Sequence, residues 1–234
     1  MNQSTSAFSA LIDVFVDPKK AFEGLDANPG WFWMVFILII VTPMALTTYY
    51  FQTVDIAWLV GQAETAAEAA GTPLPEEAKA FMTAGAMTAT TAIGQLIIIP
   101  VIFVIWAVYL NLVNKFTMND TRGFKNWFSL SIFAAAPNLL ASIAALVYFM
   151  VSGTNQISLE DVQFFSANSL ITHYPTGHSA ATFMGSITPF MFWNIALMTI
   201  GIKAWTKRSF MKSLMISLAP YIVIYGAWSY SAFG

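Results

Sequence analysis

Residues Ala92–Val113 read AIGQLIIIPVIFVIWAVYLNLV, without one Asp, Glu, Lys, Arg or His. At 1.5 Å rise per residue such a helix is about 33 Å long, enough to cross the roughly 30 Å hydrocarbon core of a bilayer. Working outward, Trp31–Phe51, Leu130–Val151, Phe183–Ile202 and Ser213–Ser231 are apolar runs of similar length, also free of charge. In lipid every backbone N–H and C=O must be satisfied by the protein, which a helix does within its own segment, so each run is expected to be helical. The expected fold is an all-α integral membrane bundle of five transmembrane helices. Spans without ionisable groups also lack the usual parts of an ion or proton pathway.

The chain has 234 residues, 57% of them hydrophobic and 9% charged. Five spans leave only short loops, so one domain is expected: a cytoplasmic amphipathic segment over residues 1–30, then a membrane domain over 31–234. There is no cysteine, which excludes disulfides, thiolate catalysis and cysteine metal sites. The first thirty residues mix both charge signs and hold no continuous apolar run, so Trp31–Phe51 reads as an uncleaved anchor.

The basic residues set an orientation. Lys19 and Lys20 precede the first span, Lys115, Arg122 and Lys125 lie between the second and third, and Lys203, Lys207, Arg208 and Lys212 lie between the fourth and fifth. Of the ten Lys and Arg residues only Lys79 falls in the other loops, beside Asp55, Glu64, Glu68, Glu76, Glu77, Glu160 and Asp161. Positive charge collects on the cytoplasmic side. The N-terminus is expected to be cytoplasmic and the C-terminus external, in a bacterial inner membrane.

At the N-terminus, Phe8, Leu11, Ile12 and Phe15 recur at helical spacing. Asp17-Pro18 reads as an N-cap followed by proline at the first helical position, opening a second short helix with Phe22 and Leu25 on one side. This interfacial amphipathic pair supplies the candidate partner surface: Phe8, Leu11, Ile12, Phe15, Phe22 and Leu25. In the first outer loop, Glu76 and Glu77 suit the first turn of a helix that runs on into the second span. Ser158-Leu159-Glu160-Asp161 is a helix start resembling a capping box.

Each span holds one proline: Pro43, Pro100, Pro137, Pro189 and Pro220. Proline removes a backbone donor and bends a helix, and polar neighbours can satisfy the freed carbonyl. Gln95, Asn138 and Asn194 are the candidate intramembrane polar groups. Kinked helices serve either packing or a hinged transport pathway, and the missing ionisable groups favour packing.

The most tempting chemistry is His173-Tyr174-Pro175-Thr176-Gly177-His178-Ser179, which looks like the P-S-G-H element of membrane phosphatidic-acid phosphatases. That reaction needs a phosphate-binding Arg or Lys and a later histidine nucleophile, and neither is in place. A zinc site from His173, His178, Glu160 and Asp161 fits no common ligand spacing. Local hydrogen bonding is the expected role of both histidines, with no catalytic residue, cofactor or metal. The basic residues form no stripe, so no nucleic-acid partner is expected.

The N-terminal run F-x-x-L-I-D-V-F-V-D-P-K-K-A-F-E-G-L-D-A-N-P-G-W-F-W resembles the start of bacterial members of the Yip family, the Ypt/Rab-interacting-protein-like membrane proteins. There an apolar helix precedes a P-x-x-x-F segment and a Trp-flanked span. Gly123–Pro137, reading GFKNWFSLSIFAAAP, is similar to the family's Gly-aromatic lead into a small-x-Pro helix. The eukaryotic D-L-Y-G-P signature and a long acidic N-terminal domain are absent, so binding of small trafficking GTPases does not carry over. The resemblance implies a five-span, non-enzymatic accessory or scaffold protein. Its partners would be the lipid bilayer and other membrane proteins, an ABC-type transporter or further copies of itself. The alternative is a small transporter or lipid-handling protein that uses its kinked helices.

Overall fold

A computed structural model describes residues 3–69, 71–118, 120–175 and 177–234. The chain is 81% helical, with no strand among the described residues. Two short helices open it, α1 (Ala7–Val16) and α2 (Pro18–Ala27). The first long helix, α3 (Phe32–Thr53), follows one 3₁₀ turn at Pro29–Trp31. Then come α4 (Ile56–Ala69), α5 (Glu76–Phe81) and α6 (Ala84–Val113), the last running into a π turn at Asn114–Met118. Next are α7 (Phe124–Ala134), α8 (Pro137–Val151), α9 (Leu159–Val162) and a π turn at Asn168–Thr172. The chain closes with α10 (Ser179–Ser186), α11 (Pro189–Thr206) and α12 (Phe210–Phe233).

Among the described residues, four segments are long and apolar enough to cross a membrane: Pro29–Thr53, Ala84–Met118, Phe124–Val151 and Phe210–Phe233. The pair α10 and α11, bent by 45° at the residues before Pro189, makes a fifth when it is counted as one broken span. The prolines act in two ways. Pro43, Pro100 and Pro220 lie inside unbroken helices, whereas Pro137 and Pro189 each open a new helix after a break. Around Pro137 the ladder tightens: Ala136 N–H donates to Phe133 O at 3.1 Å and Asn138 N–H to Ala135 O at 3.0 Å. This is the 3₁₀ pattern expected where proline supplies no donor.

Lipid explains the surface of α6. Only Phe103, Ala107 and Leu110, spaced i, i+4 and i+7, are buried. Ile97, Ile98, Val101, Ile105, Val108 and Leu112 stay exposed. So long an apolar face has no place in water and is the ordinary condition of a helix in a bilayer.

Sequence and structure differ before α6. A single helix from Glu76 into the second span does not form: α5 ends at Phe81, and Thr83 starts α6 afresh, its hydroxyl accepting from Ala86 N–H at 3.3 Å. The Ala- and Glu-rich loop before it also contains α4, whose Asp55 carboxylate accepts from Trp58 N–H at 3.0 Å as an N-cap.

The chain divides into two compact units. The first comprises Met1–Val41, Leu96–Leu140 and Phe190–Tyr225. Its core is built on Trp127, Phe22, Leu25, Leu130, Phe133 and Ile202, all fully buried. Gly201 permits the close approach, since a Cβ there would meet Leu130 Cδ1 and lie 3.4 Å from Phe22 Cδ1. The second unit comprises Thr42–Gln95, Ala141–Pro189 and Gly226–Gly234. There Tyr50 is fully buried against Phe149, ring centroids 5.0 Å apart, and donates to Ile157 O at 2.9 Å. Lys79 ties α4 to α5 through Glu64 at 2.6 Å and Glu76 at 2.7 Å. Those carboxylates raise its pKa.

Candidate functional site

The N-terminal helices are locked into the first unit by their own polar residues. Ser6 caps α1, accepting from Ser9 N–H at 3.1 Å, and Asp17 caps α2, accepting from Lys20 N–H at 3.3 Å. Between the helices, the Asp13 carboxylate accepts from Ser4 Oγ at 2.7 Å, Ser9 Oγ at 3.2 Å and Lys20 Nζ at 3.0 Å. The Ser4 hydroxyl, with Lys20 and Ser9, holds the Asp13 carboxyl below the usual carboxylate range. Gly24 leaves room for Ser4, whose Cβ would lie 3.0 Å from a Cβ at that position.

A second polar cluster fixes α2. The Arg122 guanidinium grips Asp26 with two bonds, Nε to Oδ1 at 2.7 Å and an Nη to Oδ2 at 2.5 Å. Its other terminal nitrogen reaches Asp120 at 2.6 Å and Trp205 O at 3.1 Å, and the group lies 5.3 Å over the Trp205 ring. The Asp26 bonds raise the Arg122 pKa. Asn114 shapes the loop beneath, donating to the carbonyls of Asp120 and Arg122 at 3.0 Å each. Trp205 Nε1 donates to Phe22 O at 2.7 Å. Sequence reading missed this cluster, because Arg122 and Asp26 are 96 positions apart and no local pattern joins them.

The six apolar candidates of the N-terminus separate. Phe22 and Leu25 are fully buried, so they hold the unit together and offer nothing to a partner. Leu11 and Phe15 are partly buried against the core, Phe15 edge-on to Trp193 at 5.6 Å. Phe8 and Ile12 are 64% and 49% exposed, and Val16, which the sequence reading passed over, is 78% exposed. Phe8, Ile12 and Val16 follow i, i+4, i+8 and form one stripe on a helix whose opposite side, Ala10 and Val14, is buried.

Asn138 and Asn194 meet, Asn194 Nδ2 lying 3.2 Å from Asn138 Oδ1. With the Asn194 amide turned over, its nitrogen donates to Phe190 O and Ala134 O, each at 3.1 Å, and its oxygen accepts from Asn138 Nδ2 at 3.1 Å. In that orientation Asn194 serves the Ala134 carbonyl, the acceptor left over where Asn138 N–H turns to Ala135 instead. Both amides border a cavity of about 130 Å³ between Trp106, Ser131 and Tyr221. Asn138 is exposed rather than enclosed. Gln95 belongs to the other unit and is not among the cavity's lining residues; its Oε1 is buried and accepts no hydrogen bond among the described residues.

The histidines lie in the second unit. His178 caps α10, Nδ1 accepting from Ala180 N–H at 3.1 Å, and stacks on Tyr174 at 4.7 Å. His173 takes the left-handed conformation at the end of the Asn168–Thr172 turn. Thr176 of the phosphatase-like motif lies outside the described residues. Among the described residues, no three His, Asp or Glu side chains converge as metal ligands would.

No curated protein and no solved structure matches the chain. The family model described as Yip1 domain matches residues 12–231, from the middle of α1 to the last turn of α12. With its membrane-crossing helices and this match over nearly its whole length, the chain belongs to the Yip1 family of multi-pass membrane proteins.

Proposed function

We propose that the protein is a non-enzymatic accessory or scaffold subunit of a membrane complex, acting through protein–protein contacts. The observation that carries this reading is the exposed stripe Phe8, Ile12 and Val16 on α1, which the Asp13 cluster ties to α2, itself held by Arg122. A rigidly held apolar face loses little entropy when a partner helix covers it. Its occupant in this reading is an apolar helix of another membrane protein, an ABC-type transporter subunit or a second copy of the chain. The setting is a bacterial inner membrane with the N-terminus cytoplasmic and the C-terminus external, in keeping with the distribution of Lys and Arg.

A transport or lipid-handling role would draw on a wet polar path along the kinked helices. The Asn138–Asn194 pair weighs against it, because its amides bond each other and a carbonyl at the Pro137 break. Such bonds are what packing of kinked helices requires. Nothing in the histidine segment supplies a phosphate-binding cation, and His178 is engaged as a helix cap. The reading is tested by purification in mild detergent of the wild type and of a Phe8→Asp, Ile12→Asp variant. A stoichiometric partner held by the wild type and lost by the variant, at equal membrane abundance, supports it; a partner retained by both contradicts it.

A further inference from the structure

Seven of the ten basic residues of this chain fall into two groups. Lys20, Lys79 and Arg122 are each within 3.0 Å of a carboxylate. Lys203, Lys207 and Arg208 form no ion pair among the described residues, and Lys19 has only Glu23 one turn away at 3.8 Å. These last four converge on one cavity of the first unit, of about 540 Å³, whose walls are completed by Ile200, Ala204 and Phe210. That volume lies within the range of small-ligand sites. A rule that places positive charge on one side of a membrane explains the sign of these residues but not their gathering around a single hollow.

The backbone adds to the field. The hollow is the corner where α11 ends and α12 begins. Lys207, with φ of +57°, holds a left-handed conformation that a lysine seldom takes. At the start of α12, Ser209 Oγ accepts from Lys212 N–H at 3.4 Å, and the helix presents its positive dipole end to the corner. Lys203 lies 6.0 Å over the Phe210 ring, which steers its ammonium along an apolar wall. Arg208 reaches Thr117 O.

We infer that this corner, with Lys19 of α2, binds the phosphate of an anionic glycerophospholipid headgroup. α12 is long and apolar enough to cross a membrane, and α11 is so together with α10, which puts their junction at a membrane face, the depth at which headgroups sit. Lys203, Lys207 and Arg208, none of them bonded to a carboxylate among the described residues, would face the phosphate oxygens, while Ile200, Ala204 and Phe210 would meet the glycerol and the first acyl carbons. Free inorganic phosphate shares the anionic chemistry but would leave these apolar walls uncovered.

The test uses the full chain in detergent, offered equal amounts of phosphatidylglycerol and phosphatidylcholine, with bound lipid read by native mass spectrometry. The wild type is expected to keep phosphatidylglycerol in preference. A Lys203→Gln, Lys207→Gln variant is expected to lose the preference by about tenfold or more, two lysines being removed from a membrane surface. Lys115→Gln, Lys125→Gln, with the same change in charge elsewhere, is expected to keep it. Circular dichroism and elution volume show that each variant is folded; Lys203 and Lys207 are exposed, so neither supports the core. Equal loss in both variants would reduce the effect to diffuse surface charge and overturn the inference. No preference in the wild type would overturn it too, as would displacement of the lipid by inorganic phosphate at comparable concentration.

Discussion

Removing the Arg122 side chain tests how the N-terminal helices are held. Arg122→Ala leaves Asp26 and Asp120 facing each other without their shared cation and strips Trp205 O of a donor. Breaking one side of a buried ion pair costs about 3–5 kcal/mol. Arg122 keeps 19% of its side-chain surface, Asp26 31% and Asp120 17%, so water partly relieves the stranded carboxylates. The expected loss is therefore near the lower end, about 3 kcal/mol. Arg122→Lys retains the charge but not the two-pronged grip on Asp26, and should lose about 1–2 kcal/mol. Asp26→Asn combined with Arg122→Ala should recover part of the loss, because the stranded charge is the larger penalty. The assay is reversible unfolding in mixed micelles at rising sodium dodecyl sulfate fraction, read by helical ellipticity. Arg122→Ala within about 0.5 kcal/mol of the wild type, the scale of an exposed ion pair, would refute the clamp.

Other perturbations have equally definite outcomes. Gly201→Ala should destabilise the first unit by about 1–3 kcal/mol, since the new methyl would collide with Leu130; unchanged unfolding would contradict the packing. Asn194→Leu should lose about 1–2 kcal/mol without loss of a chemical step, and a gain in stability would show that its bonds to Asn138 and Ala134 count for nothing. The lowered pKa of Asp13 means that its contribution is present above the unfolded carboxylate pKa near 3.8 and is lost as pH falls through the lower folded value. Amide exchange in α1 should thus stay slow from neutral pH down to about 4 and quicken below, beyond its intrinsic pH dependence, while Asp13→Asn quickens it at every pH. His178→Ala should cost about 1 kcal/mol, as a lost N-cap does, and leave co-purification unchanged.

The membrane-crossing helices were legible because length without charge is a property of composition, and a helix satisfies its own backbone in lipid. The boundary at Asp17-Pro18 was legible too, since a cap and a proline act within one turn. Burial at the N-terminus was not. Ser9 and Asp13 mark only one narrow polar strip of α1, so its periodicity could not tell Phe8 and Ile12, which face out, from Ala10 and Val14, which face in. Phe22 and Leu25 looked like neighbours of the same surface, yet Trp127, Leu130 and Trp205 close over them, and those arrive from α7 and α11. The Arg122–Asp26 grip is a tertiary event of the same kind. The break between α5 and α6 rests on one hydroxyl of Thr83, too slight a signal among helix-forming alanines.

The proposed role requires that α1 meet a protein. Its most direct test places a photo-reactive benzoylphenylalanine at Phe8, at Ile12 and, as a control, at the buried Val14, followed by irradiation of intact membranes. A discrete intermolecular protein adduct is expected from positions 8 and 12 and none from 14. Adducts with lipid alone at positions 8 and 12, in membranes holding the chain at its native abundance, would contradict it.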